Sequence, residues 1–165
     1  MSRDSGVKAI VQSLVGVWNG TGEGRYPTIE PFTYRETTGF VERDDHPALH
    51  YEQRTWRQTS DGEVVSHWET GFLRFSSDGS VTMLNAQGGR AETMIGKWRK
   101  HASNWRIELT STGYAGDGRV LKSTRSVQLD ERLLTYQMSM VTTSTQEMGL
   151  HLSAELSIAG DRKGR

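Results

Sequence analysis

A chain of 165 residues sets 20 basic against 20 acidic side chains, for a formal net charge of +0, and contains no cysteine. The length suits one domain that buries roughly 70% of its unfolded surface. Charge balance argues against a nucleic-acid partner, and the lack of cysteine removes disulfides, thiolate metal sites and thiol nucleophiles. No apolar run approaches the roughly 18 residues that span a bilayer, and the first residues lead into no signal-like apolar segment. The expectation is a soluble, cytoplasmic, single domain over residues 1–165 with no membrane partner.

The first element is a short helix. Val7, Ile10, Val11 and Leu14 fall at i, i+3, i+4 and i+7, with Ser5 available as a cap. From Gly16 onward the chain reads as strands divided by turn chemistry, as its 18 glycines and only 3 prolines suggest. The predicted strands cover residues 16–24, 32–41, 49–56, 64–75, 81–86, 91–99, 105–109, 119–129, 133–142 and 151–158. Between them lie Asp44-Asp45-His46-Pro47, Asp61-Gly62, Asp78-Gly79 and Gly88-Gly89. Turns recur every 8–12 residues or so with no βαβ rhythm, which excludes a parallel sheet and leaves a barrel or a sandwich. The run of consecutive hairpins favours a closed up-and-down barrel, because closure disposes of edge strands. The fold class is therefore all-β, with about ten antiparallel strands and one N-terminal helix whose place is over one end of the barrel.

Nucleophilic chemistry has little support, since no serine lies in a G-x-S-x-G context. Gly20-Thr21-Gly22-Glu23-Gly24 has no lysine and no following helix to cradle a phosphate, so its alternate glycines read as a bend or a close approach. Among the histidines, His46 falls in a turn, His101 at a strand end, and His50 within a strand without further signal. His67 and Glu69 share one side of a strand and would either ligate a metal together or have the carboxylate orient the imidazole. Buried structural use of His67 remains the commoner alternative. His151 opens the last strand on the face of Ser153 and Glu155, opposite Leu152, Ala154, Leu156 and Ile158. Regular alternation turns it outward if the apolar face is inside, and periodicity alone does not settle its direction.

Three motifs carry a resemblance: Gly16-x-Trp18-x-Gly20-x-Gly22, Tyr26-Pro27-Thr28-Ile29, and Pro31-Phe32-x-Tyr34-x-Glu36. Further along stand Tyr51-x-Gln53-x-Thr55, His67-x-Glu69-x-Gly71-Phe72-x-Arg74, Leu134-x-Tyr136-x-x-x-Met140 and His151-Leu152-x-Ala154. Together they resemble the nitrobindin family, small haem-binding barrels similar to fatty-acid-binding proteins, over residues 10–158. The resemblance implies one haem b per subunit, with His151 as axial iron ligand and catalytic centre. It also implies cofactor contacts from Thr28 and His67, from Arg119 or Lys122, and from the motif Gly16, Trp18, Gly20 and Gly22. The implied activity is isomerisation of peroxynitrite to nitrate at ferric haem, with nitric oxide binding at ferrous haem. The alternatives are a non-catalytic carrier of haem or another apolar molecule, and a nitric oxide sensor. A homodimer is implied too, with Trp56, Trp98 or Trp105 as interface candidates that core packing explains equally well. The sequence departs from the family at Trp68, where a small residue is common, and between residues 142 and 150, which lack a proline.

Overall fold

In a computed structural model of the protein, residues 3–43 and 46–160 are described. A helix, α1 (Arg3–Leu14), precedes ten strands: β1 (Gly16–Gly24), β2 (Phe32–Arg43), β3 (His46–Thr59), β4 (Gly62–Phe75) and β5 (Ser80–Gln87), then β6 (Arg90–His101), β7 (Asn104–Gly116), β8 (Val120–Asp130), β9 (Leu133–Thr142) and β10 (Gly149–Ile158). Each strand pairs antiparallel with its neighbours in sequence, and β1 also pairs with β10, which closes the barrel. Closure leaves no strand edge to template aggregation. The all-β barrel expected from the hairpin rhythm is the fold observed.

The helix plugs one end. Val7, Ile10, Val11 and Leu14 are buried with Trp18, Trp105, Leu129 and Leu156 in one apolar cluster. Each such side chain contributes about 1.5–3 kcal/mol through its burial. Two indoles anchor the plug as well as fill it: Trp18 Nε1 donates to the Leu14 carbonyl at 2.8 Å, and Trp105 Nε1 donates to Ser13 Oγ at 3.2 Å.

Two local expectations change. The helix starts at Arg3, so Ser5 lies inside its first turn instead of ahead of it. Gly6 lies against the Trp98 indole, where an added Cβ would stand 3.3 Å from the ring, so the first turn of the helix packs close to the closed end. His46, expected in the turn, is the first residue of β3, while Asp44 and Asp45 fall outside the described residues. Of the three tryptophans offered for an interface, Trp98 and Trp105 pack into the closed end, and Trp56 lies under the Arg35 guanidinium at 3.9 Å.

Strand β1 explains its own glycines. A Cβ on Gly22 would sit 2.2 Å from the Tyr34 ring, and one on Gly24 equally close to Phe32. These positions are empty so that two aromatic rings of β2 can lie flat across β1. Gly20 lets β10 approach, since its Cβ would stand 2.0 Å from the Glu155 carbonyl oxygen.

Candidate functional site

The end opposite α1 opens into a pocket of about 590 Å³. Its walls come from the strand ends and from the segment after β1, where Ile29 N–H donates to the Tyr26 carbonyl in a turn at 3.2 Å. That volume lies in the range of cofactor and small-molecule sites.

His151 is the centre of one wall, and a bulge puts it there. Leu150 pairs with Ser139 and Leu152 with Met138, so His151 is an extra residue between them in β10. A bulge of this kind resets the alternation of side chains. His151 therefore turns inward and is only 2% exposed, although regular register would have put it outside. The Arg25 amide donates to its carbonyl at 2.8 Å, fixing the bulge to the end of β1. Its ring Nδ1 lies 2.7 Å from the Gly149 carbonyl oxygen. A carbonyl only accepts, so Nδ1 carries the proton and Nε2 keeps its lone pair. That Nε2 is buried and has no hydrogen-bond partner. The Tyr26 ring packs edge-on against the imidazole at 5.1 Å, and Val120, Met138, Met140 and Leu152 make the surroundings apolar.

The facing wall holds His67 on β4. A second bulge, opposite Thr55 and Trp56 of β3, inserts Ser66 into the wall beside it, with Thr55 Oγ1 2.8 Å from Ser66 Oγ. His67 Nε2 lies 3.5 Å from Glu69 Oε2. Glu69 is 1% exposed and fully engaged: Arg125 Nη1 and Nη2 donate to its two oxygens at 2.7 and 2.8 Å, and the Tyr51 hydroxyl donates at 2.6 Å. Burial works to raise this carboxyl, yet the Arg125 charge and the donors around it hold it well below the usual carboxylate range. Among the described residues no cluster of three metal-ligating side chains exists, and Glu69 stands where it can orient the His67 ring.

Beneath the pocket a second buried acid forms the floor. Glu36 accepts from the Tyr136 hydroxyl at 2.6 Å and from Thr38 Oγ1 and Gln53 Nε2 at 2.7 Å each, and the Tyr136 hydroxyl pairs with that of Tyr34 at 2.9 Å. Burial pushes the Glu36 carboxyl above its usual value despite those donors. This polar layer separates the open pocket from the apolar closed end.

Of the residues singled out from sequence, His151, His67, Thr28 and Arg119 line the pocket. Arg119 stands at the mouth with its side chain 82% exposed, held by Asp117 through Nε at 2.9 Å. Lys122 is a correction. A register shift between Val120 and Lys122 turns Val120 and Ser123 inward and leaves Lys122 exposed on the outer face. Gly16, Trp18, Gly20 and Gly22 do not line the pocket either: Trp18 serves the closed end, Gly16 lies against Ile158, and Gly22 acts through Tyr34. Arg125 was missed. The only signal for it was that Glu69, if buried, needs a counter-charge.

Residues 9–157 match the model of a family described as the THAP4-like, heme-binding beta-barrel domain. The chain belongs to this family. Its likeness to the haem-binding barrels extends to a protein of Arabidopsis thaliana named "Peroxynitrite isomerase Rv2717c", 33% identical over 144 residues, covering 87% of this chain and 83% of that one. A Mycobacterium tuberculosis protein named "Peroxynitrite isomerase 1" is 35% identical over 150 residues, 87% of this chain and 89% of it. Among solved structures, Rv2717c from M. tuberculosis superposes with a TM-score of 0.84 at 30% identity, covering 93% of this chain and 98% of that one. An S-type phycobiliprotein lyase of Guillardia theta gives 0.64 at 8% identity over 94% of both chains, which shows the fold alone. The nitrobindin resemblance read from the motifs therefore holds.

The residues present suit the family's haem. A buried imidazole with one nitrogen anchored and the other unpartnered is the donor that a haem iron takes in many proteins.

Proposed function

We propose that the protein holds one haem b per chain on His151 and isomerises peroxynitrite to nitrate in its ferric form, binding nitric oxide when ferrous. The observation that carries this reading is the unpartnered, buried His151 Nε2 opposite an Nδ1 fixed by the Gly149 carbonyl. A buried polar atom without a partner costs about 1–3 kcal/mol, a cost that a coordinate bond removes. Haem, when bound, would be held by His151 and would supply Lewis-acidic iron chemistry toward peroxynitrite.

The chain's own residues do the rest. Gly149 holds the imidazole tautomer, and Tyr26 fixes the plane of the ring. Met138, Met140 and Leu152 exclude water from the His151 side. His67 stands on the facing wall, steadied by Glu69, as a hydrogen-bonding group for a small ligand.

Reconstitution with haemin tests the reading. The native protein should give a Soret band, and stopped-flow mixing of its ferric form with peroxynitrite should yield nitrate faster than buffer does. His151→Ala should lose the Soret band while its far-ultraviolet circular dichroism stays native, since the barrel is closed by backbone pairing along all ten strands and not by this one side chain. A wild-type band in that variant would move the iron ligand elsewhere, His67 first. Haem binding without accelerated decay would leave a carrier or a sensor.

A further inference from the structure

We infer that Arg57 and Arg90 form an anion-binding site at the mouth of the pocket, which receives a carboxylate or a small oxyanion of the pocket's occupant. The inference deepens the haem reading above and rests on it. Four arginines line the pocket: Arg57, Arg90, Arg119 and Arg125. Two are already committed. Arg125 is chelated by Glu69 and approached by Glu92 at 3.8 Å, and Arg119 is bound by Asp117.

The other two make no salt bridge among the described residues, although Arg90 helps to hold the Asp117 carboxyl down from nearby. The Arg57 guanidinium lies 3.9 Å above the Phe32 ring, which holds its position and leaves its N–H groups without an acceptor. With the Gln87 amide oriented oxygen-first, Arg90 donates to it through Nη2 at 2.7 Å and Nε at 3.3 Å, which again fixes the fork without neutralising it.

Position supports the same reading. Arg57 on β3 and Arg90 on β6 flank β4 and β5, in the arc of barrel wall that faces β10 and His151. Around the pocket the four arginines exceed the lining carboxylates Glu69 and Asp117, and the excess survives when Glu92 is counted. Two half-buried, pre-positioned forks suit planar carboxylate or oxyanion groups. The anion comes either from the acidic edge of haem or from a free oxyanion such as nitrate.

Two titrations of the apoprotein separate these sources. The first compares haemin with haemin dimethyl ester by the Soret band. The second follows sodium nitrate by amide chemical shifts. Each is repeated on Arg57→Ala, Arg90→Ala and the double variant, with Arg74→Ala on the outer wall as a charge control. If haem carboxylates are the anion, wild type should prefer haemin to the ester about tenfold or more, and the double variant should lose that preference while binding the ester as before. If a free oxyanion is the anion, haemin and ester bind alike and the nitrate shifts vanish in the double variant. Unchanged haemin preference and unchanged nitrate shifts in the double variant would overturn the inference. Failure of wild type to bind haemin at all would instead remove the haem reading, and the nitrate titration alone would then decide.

Discussion

Single atoms set the chemistry of this barrel. Glu69 and Arg125 are both buried, so removing one partner strands the other in low dielectric. Glu69→Gln should cost about 3–5 kcal/mol in urea unfolding, and adding Arg125→Met to it should recover much of that loss. A loss below about 1 kcal/mol for the single variant would mean that water reaches Arg125. Gly22 acts by the absence of an atom. Gly22→Ala places a Cβ 2.2 Å from the Tyr34 ring and 2.6 Å from the Ser153 carbonyl oxygen, the latter being backbone that cannot swing aside. It should destabilise by about 1–3 kcal/mol and disturb the Tyr34–Tyr136 pair, seen as altered near-ultraviolet dichroism.

Elements divide the labour between the two ends. The helix stabilises the closed end without touching the pocket. Ile10→Ala should therefore lower unfolding stability by about 2–5 kcal/mol while the haemin affinity of the folded protein stays the same. A parallel loss of affinity would show that the polar layer of Glu36, Gln53 and Tyr136 does not insulate the two ends. The β10 bulge works the other way, contributing to the site at the expense of ladder regularity. Deleting Leu150 removes the extra residue, so His151 takes the outward place opposite Ser139. Such a variant should keep its strand dichroism and lose the Soret band.

Acid response belongs to the whole molecule. Unfolded, Glu69 takes up a proton near about pH 4.3; folded, it resists protonation until well below that. Its contribution is thus fully present above the ordinary carboxylate value and is lost as pH falls toward the depressed folded value. Glu36 has the opposite sign, because burial raises its folded value: its contribution is greatest in acid and declines as pH rises through that value. Wild-type stability should fall below about pH 4 as Glu69 dominates, and Glu69→Gln should flatten that acid limb. An acid limb of equal steepness in Glu69→Gln would assign it to other carboxylates.

Most of the architecture was legible in the chain. Turn pairs such as Asp61-Gly62 and Asp78-Gly79, spaced by alternating segments, specify the hairpins, and hairpins in succession specify an up-and-down sheet. The stripe of Val7, Ile10, Val11 and Leu14 specifies the plug, because a helix this short is stable only when that face is covered. His151 was also legible, through its motif, as a residue of the site. Its direction was not. Side chains alternate along a strand, so one inserted residue reverses every inference from periodicity, and whether a residue is inserted depends on the partner strand. The bulges at Ser66, Leu121 and His151 brought Ser66 and His151 into the pocket wall and kept Lys122 out of it. Arg125 is inside for a related reason. An arginine in a strand reads as solvent-facing until tertiary packing supplies the buried carboxylate that makes its burial tolerable.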